Sequence, residues 1–79
     1  MGVKEDIKMI YYLEPEFKER RIKECVSIIK DMEKDEIGFS VEEMWGQVMD
    51  SLLGYDIPHE VSRKYAIASF RKCGYTVEE

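Results

Sequence analysis

The chain has 79 residues, with 12 Lys and Arg against 17 Asp and Glu, a net charge of −5 at pH 7 and only two cysteines. A chain of this length makes one domain, buries only about 60% of the surface its unfolded form exposes, and so has a thin margin of stability. The net charge disfavours nonspecific attraction to nucleic acid or anionic lipid, and the longest apolar run, Met9 to Leu13, is too short to span a membrane.

Cys25 and Cys73 form no CxxC or Cys/His cluster, which argues against a zinc site. Their number alone permits a disulfide, but the start Met1 to Asp6 lacks the apolar core of a secretory signal. Gly2 would permit myristoylation, yet Asp6 stands where that signal takes Ser or Thr. A reducing cytoplasm is the expected location.

Residues 4–13 fit two patterns. Ile7, Ile10 and Tyr11 share a helical face, whereas Ile7, Met9, Tyr11 and Leu13 alternate as in a strand. The close approach of the next element favours helix. Residues 1–13 are expected to pack on the rest of a single domain spanning 1–79. Pro15 suits the first turn of a helix, with Glu14 and Glu16 at the positive end of its dipole. That helix should run from Pro15 to Glu33, with Ile22, Cys25, Val26, Ile29 and Met32 as its apolar stripe. Lys18, Arg20, Arg21, Lys23 and Glu24 are read as its solvated face. Lys34 to Gly38 breaks the pattern.

Ser40 and Glu43 have the spacing of a capping box, and Phe39 can staple onto Met44. Val41, Met44, Trp45, Val48, Met49, Leu52 and Leu53 then mark a strongly periodic helix, with Trp45 inward. Gly54 is expected to end it in a left-handed conformation. After a short turn, Pro58 opens a final helix reaching Cys73, with Val61, Tyr65, Ala66, Ala68 and Phe70 inward. Gly74 ends that helix, and Tyr75 can fold back on Phe70. The segment from Gly74 to Glu79 echoes Gly38 to Glu43, which reads as two similar boundary signals and not as a repeat. The fold class is therefore all-α, a compact three- or four-helix domain of helix-turn-helix type that has room for a short strand pair.

No catalytic constellation stands out. His59, the only histidine, has Glu60 beside it but no triad, and neither cysteine has an orienting partner. The glycines are dispersed and form no phosphate loop. Gly46 lies inside a helix, where its cost suggests close packing of another helix. Asp31, Glu33 and Asp35, followed by Gly38 and Glu43, resemble an EF-hand loop. An EF-hand needs glycine sixth and glutamate twelfth. Counting from Asp31 puts Glu36 sixth, and counting back from Glu43 puts Met32 first. We therefore expect no enzyme activity, no cofactor and no metal.

From Arg20 to Val77 the layout resembles a winged-helix or helix-turn-helix domain. The resemblance implies a short strand at Glu36–Phe39 and another at Gly74–Val77, with Pro58–Cys73 as recognition helix. Glu60-Val61-Ser62-Arg63-Lys64-Tyr65 followed by Gly74-Tyr75 carries the likeness, and it implies Ser62, Arg63 and Lys64 toward the major groove. Charge separates this from a second reading. Residues 37–57 hold Glu42, Glu43, Asp50 and Asp56 with no Lys or Arg, whereas residues 58–75 hold Arg63, Lys64, Arg71 and Lys72 against Glu60. Such an acidic body repels DNA phosphates. The aromatic and methionine side chains Tyr11, Tyr12, Phe17, Tyr55, Met9 and Met49 exceed what so small a core can hold, and such residues are enriched at interfaces. The expected function is a non-catalytic, protein-binding regulator, adaptor or inhibitor, able to form a homodimer. Its contacts would be Tyr11, Tyr12, Phe17, Tyr55, Arg63, Lys64 and Arg71. Ser40, Glu43, Trp45, Gly54, Pro58 and Gly74 are assigned structural roles. The alternative is a DNA-binding transcriptional regulator.

Overall fold

The computed structural model describes residues 14–78. The expectations for residues 1–13, including Tyr11 and Tyr12, lie outside them. The described chain is all-α, with three helices: α1, Pro15–Lys34; α2, Val41–Leu53; and α3, His59–Lys72. Each packs on the other two. No strand occurs among the described residues, so Glu36–Phe39 and Gly74–Val77 do not form the expected pair. Both segments are occupied in ending helices.

α1 begins where Glu14 takes an extended backbone and Pro15 supplies a helical φ without wasting an N–H. Ile22, Cys25 and Ile29 recur at three- and four-residue steps and are buried. At its end the Asp35 carboxylate accepts the Ile37 N–H at 2.9 Å, an Asx turn, and Gly38 follows at φ +76°.

α2 starts with the expected reciprocal cap. Ser40 Oγ accepts the Glu43 N–H at 3.2 Å, and Glu43 Oε1 accepts the Ser40 N–H at 2.9 Å. Replacing Ser40 with Ala should cost about 1 kcal/mol, the usual worth of an N-cap. Urea denaturation tests this, and an unchanged midpoint would remove the cap from the account.

The other end of α2 corrects the sequence reading. Gly54 is right-handed, at φ −63° and ψ −16°, and its N–H still bonds back to Asp50. The left-handed residue is Asp56, at φ +61°. A short carboxylate side chain tolerates that region better than most. Two further bonds, Tyr55 N–H to Leu52 O and Asp56 N–H to Leu53 O, tighten the turn before Asp56 reverses the chain. Pro58 is the N-cap of α3 and not its first residue.

α3 ends as expected. Gly74 is left-handed at φ +94°, its N–H bonds Arg71 O, and the Tyr75 N–H bonds Phe70 O. These are the two bonds of a Schellman motif, and the Tyr75 ring meets the Phe70 ring edge-on at 5.3 Å. Glycines 38 and 74, which head the echoed hexapeptides, are both left-handed, but Gly74 caps α3 directly whereas Gly38 turns the loop three residues beyond the C-cap of α1.

Ile29, Val48, Leu52 and Phe70 form the fully buried centre, with Met44, Met49, Ile57, Tyr65 and Ala66 around them. Phe39 packs against this cluster, consistent with a staple on Met44. Trp45 turns inward and packs against this cluster, 5.6 Å from Phe70, but is only half-buried. Val41 and Leu53 are likewise exposed, because the apolar arc of α2 is wider than the face its two neighbours cover. Met49, counted as surplus to the core, is buried in it. Two hydroxyls enter the core by bonding backbone carbonyls. Ser62 Oγ donates to Ile57 O at 3.3 Å, and Ser69 Oγ donates to Tyr65 O at 2.8 Å.

Gly46 meets no packed helix. A Cβ there would find no atom within 4 Å, so the glycine weakens α2 without steric need. Gly46→Ala should raise stability by roughly 1 kcal/mol, since Ala is the better helix former. A fall in thermal midpoint would show that unseen strain governs this position.

Candidate interaction surface

Two of the predicted partner contacts, Phe17 and Tyr55, converge on a residue that sequence reasoning left in solvent. Arg21 is buried, with its guanidinium 4.1 Å from the Tyr55 ring centroid and 5.4 Å from that of Phe17. Its Nη2 donates to Glu24 Oε2 at 2.9 Å, and the Tyr55 hydroxyl donates to Glu24 Oε1 at 3.3 Å. The spacing held the signal. Phe17 and Glu24 stand at i−4 and i+3 from Arg21, on one face of α1. A cation enclosed by rings and a carboxylate can contribute on the order of 2 kcal/mol. The group ties the turn after α2 to α1. Phe17 and Tyr55 therefore have a structural task, although Tyr55 keeps 41% of its surface exposed.

The basic residues of α3 divide. Arg63 and Lys64 are exposed. Glu60 stands one turn earlier at i−3 and i−4 from them, placing a carboxylate on the same outward arc. Ser62 is fully buried and cannot face a groove in DNA, because its hydroxyl is used on Ile57 O. Arg71 bonds Val77 O through Nη2 at 2.7 Å and Nε at 3.2 Å, which holds the C-terminal segment against the end of α3.

That segment walls an apolar groove with α2. Val41, Trp45 and Val77 line it over Phe70, Glu42 and Glu78 are at its edge, and its volume is about 370 Å³. On the side of α2 facing α1, a second groove of about 400 Å³ runs past Ile28, Met32 and Phe39, edged by Asp31 and Asp35. A third, between α1 and α3, has Ile22 and Val26 among both signs of charge: Glu19, Lys23 and Lys72. Exposed apolar side chains lie at both ends of α2, Ile37 and Val41 at its start and Leu53 and Tyr55 at its finish, with Ile37 the most exposed at 78%.

The carboxylates of the EF-hand-like stretch point to separate tasks. Asp35 caps a turn, Glu43 closes the capping box, and Glu33 accepts the Tyr75 hydroxyl at 2.5 Å. Among the described residues no three His, Cys, Asp or Glu side chains converge as metal ligands would, and no helix is long and apolar enough to cross a membrane. Both thiols are free and hard to ionise. Burial pushes Cys25 up to about 11, against a weaker opposing hydrogen bond from Ser69, and burial with nearby Glu33 raises Cys73. The bond to Glu33 raises the Tyr75 hydroxyl as well. No family model, curated protein or solved structure matches the chain.

Proposed function

We propose that this protein is a non-catalytic binding module that works by contact with another protein, as a regulator, adaptor or inhibitor. The observation that carries the reading is the groove over Phe70, in which Val41, Trp45 and Val77 present apolar surface that three packed helices leave uncovered. Fully buried cores of interfaces are rich in aromatic and apolar side chains and poor in charge. The sequence reading placed the contact elsewhere, on Phe17, Tyr55 and the basic helix. The groove is the better candidate because its side chains have no competing structural bond as strong as the Arg21 enclosure.

The test is affinity capture from the native host after nuclease treatment, using wild type and Val41→Asp side by side. A protein retained by wild type and lost with Val41→Asp supports the reading. Equal retention by both would move the contact away from the groove. A second reading, a helix-turn-helix DNA binder, draws support from the exposed pair Arg63 and Lys64. It requires tight duplex binding at about 150 mM salt, with a salt slope that flattens when both become Ala, since each neutralised phosphate releases counterions. We expect negligible binding instead.

A further inference from the structure

We infer that the groove over Phe70 takes a cationic amphipathic segment of its partner, one in which Lys or Arg residues flank an apolar anchor. The inference rests on the protein-binding reading and specifies the partner's chemistry.

Shape gives the anchor. Val41, Trp45 and Val77 line the groove, and the Trp45 ring is tilted 35° to the buried Phe70 ring behind it at 5.6 Å. An apolar group gains by lying against Val41, Trp45 and Val77, while Thr76, Glu42 and Glu78 supply the polar part of the lining. Charge gives the flanks. Glu42 and Glu78 line the groove itself, and no Lys or Arg occurs anywhere from residue 37 to residue 57. The second groove beside α2 repeats the arrangement, with Asp31 and Asp35 at the edge of Ile28, Met32 and Phe39. Both grooves flanking α2 are thus apolar with acidic edges, whereas the one between α1 and α3 carries mixed charge. Arg71 is the nearby cation, and Val77 O holds its guanidinium. Complementary potentials steer association and penalise a partner of the wrong sign. An anionic partner, nucleic acid included, would meet Glu42 and Glu78 at the rim.

Trp45 is the only tryptophan and lies in the groove, so its emission reports occupancy directly. The probes are three synthetic, tryptophan-free peptides of equal length: one with Leu anchors and Lys/Arg flanks, one with the flanks changed to Glu, and one with the anchors changed to Ser. The Lys/Arg peptide should shift Trp45 emission saturably and bind at least about tenfold tighter than either control. Glu42→Lys with Glu78→Lys should remove most of that preference, while Arg63→Ala with Lys64→Ala leaves it unchanged. Circular dichroism of each variant confirms folding, and these exposed substitutions should preserve it. The inference is overturned if the Glu-flanked peptide binds as well, if none of the peptides binds, or if the Glu42/Glu78 variant binds as wild type does. Host capture that depends on Val41, together with a peptide series preferring Glu flanks, would keep the protein-binding reading and discard the cationic occupant.

Discussion

Phe70→Ala should cost about 3–5 kcal/mol, the usual range for truncating a buried aromatic ring. Phe70 is fully buried, and its ring contacts Trp45 on one side and Tyr75 on the other. The substitution therefore empties the centre of the core and also removes the surface on which the C-terminal segment folds back. Domains are stabilised by roughly 0.05–0.15 kcal/mol per residue, about 4–12 kcal/mol for a chain of 79, so the loss is a large part of the margin and all of it at the lower end. Equilibrium urea unfolding followed by circular dichroism should show the variant substantially unfolded near 37 °C. Phe70→Leu, which keeps most of the apolar volume, should lose much less. A Phe70→Ala midpoint within 1 kcal/mol of wild type would mean that Phe70 is not the centre of packing. By contrast, Trp45→Ala should cost less than a fully buried ring would, because half-burial leaves less transfer energy to lose.

The helices were legible because their signals are local. Pro15 at a first turn, the Ser40/Glu43 box and the Gly74-Tyr75 exit each concern residues within one turn of one another, and all three form as read. What misled was local pattern extended into tertiary context. Gly54 was the natural stop signal, yet the turn after α2 uses two tightening bonds and places its left-handed residue at Asp56. Ser62 reads as a polar surface residue, but a hydroxyl that finds a carbonyl can be buried at little cost. Arg21 shows the same limit for charge: Phe17 and Glu24 share its face at helical spacing, but no local pattern reveals that Tyr55, 34 positions along, closes over it. The groove was the least legible. Val41, Trp45, Phe70 and Val77 all belong to apolar patterns, and periodicity cannot say which members of a pattern stay uncovered. That depends on how three helices meet. Tyr11 and Tyr12, outside the described residues, remain expectations, and the DNA and protein readings part at Glu42 and Glu78, whose position beside the groove no spacing rule supplies.

Between pH 9 and about pH 11 the wild-type protein should lose stability that a Cys25→Ala variant does not lose. The thiol is buried among the α1 and α3 side chains, and that burial raises its ionisation to about 11 from the ordinary value of 9.0. Ser69 offers a bond that favours the thiolate, and Arg21 acts the same way, but burial outweighs them. Because the folded value is the higher one, folding favours the protonated thiol. Its contribution is fully present below pH 9 and disappears as the pH rises through the folded value. A difference of two units is worth about 3 kcal/mol at most, taking 1.36 kcal/mol per unit. Cys73 and Tyr75 are shifted in the same direction and titrate in both proteins, so the comparison cancels them. Cys25→Ala starts lower at pH 8, since it removes a packed sulfur, but its stability should fall more slowly above pH 9. The two curves should converge. The measurement is urea unfolding at half-unit steps from pH 8 to pH 11, with maleimide labelling at neutral pH as an independent check. Cys73, the more exposed thiol, should label faster than Cys25, which should react only after unfolding. Parallel stability curves for the two proteins, or rapid labelling of both thiols in the native state, would show that Cys25 is not held neutral in the core.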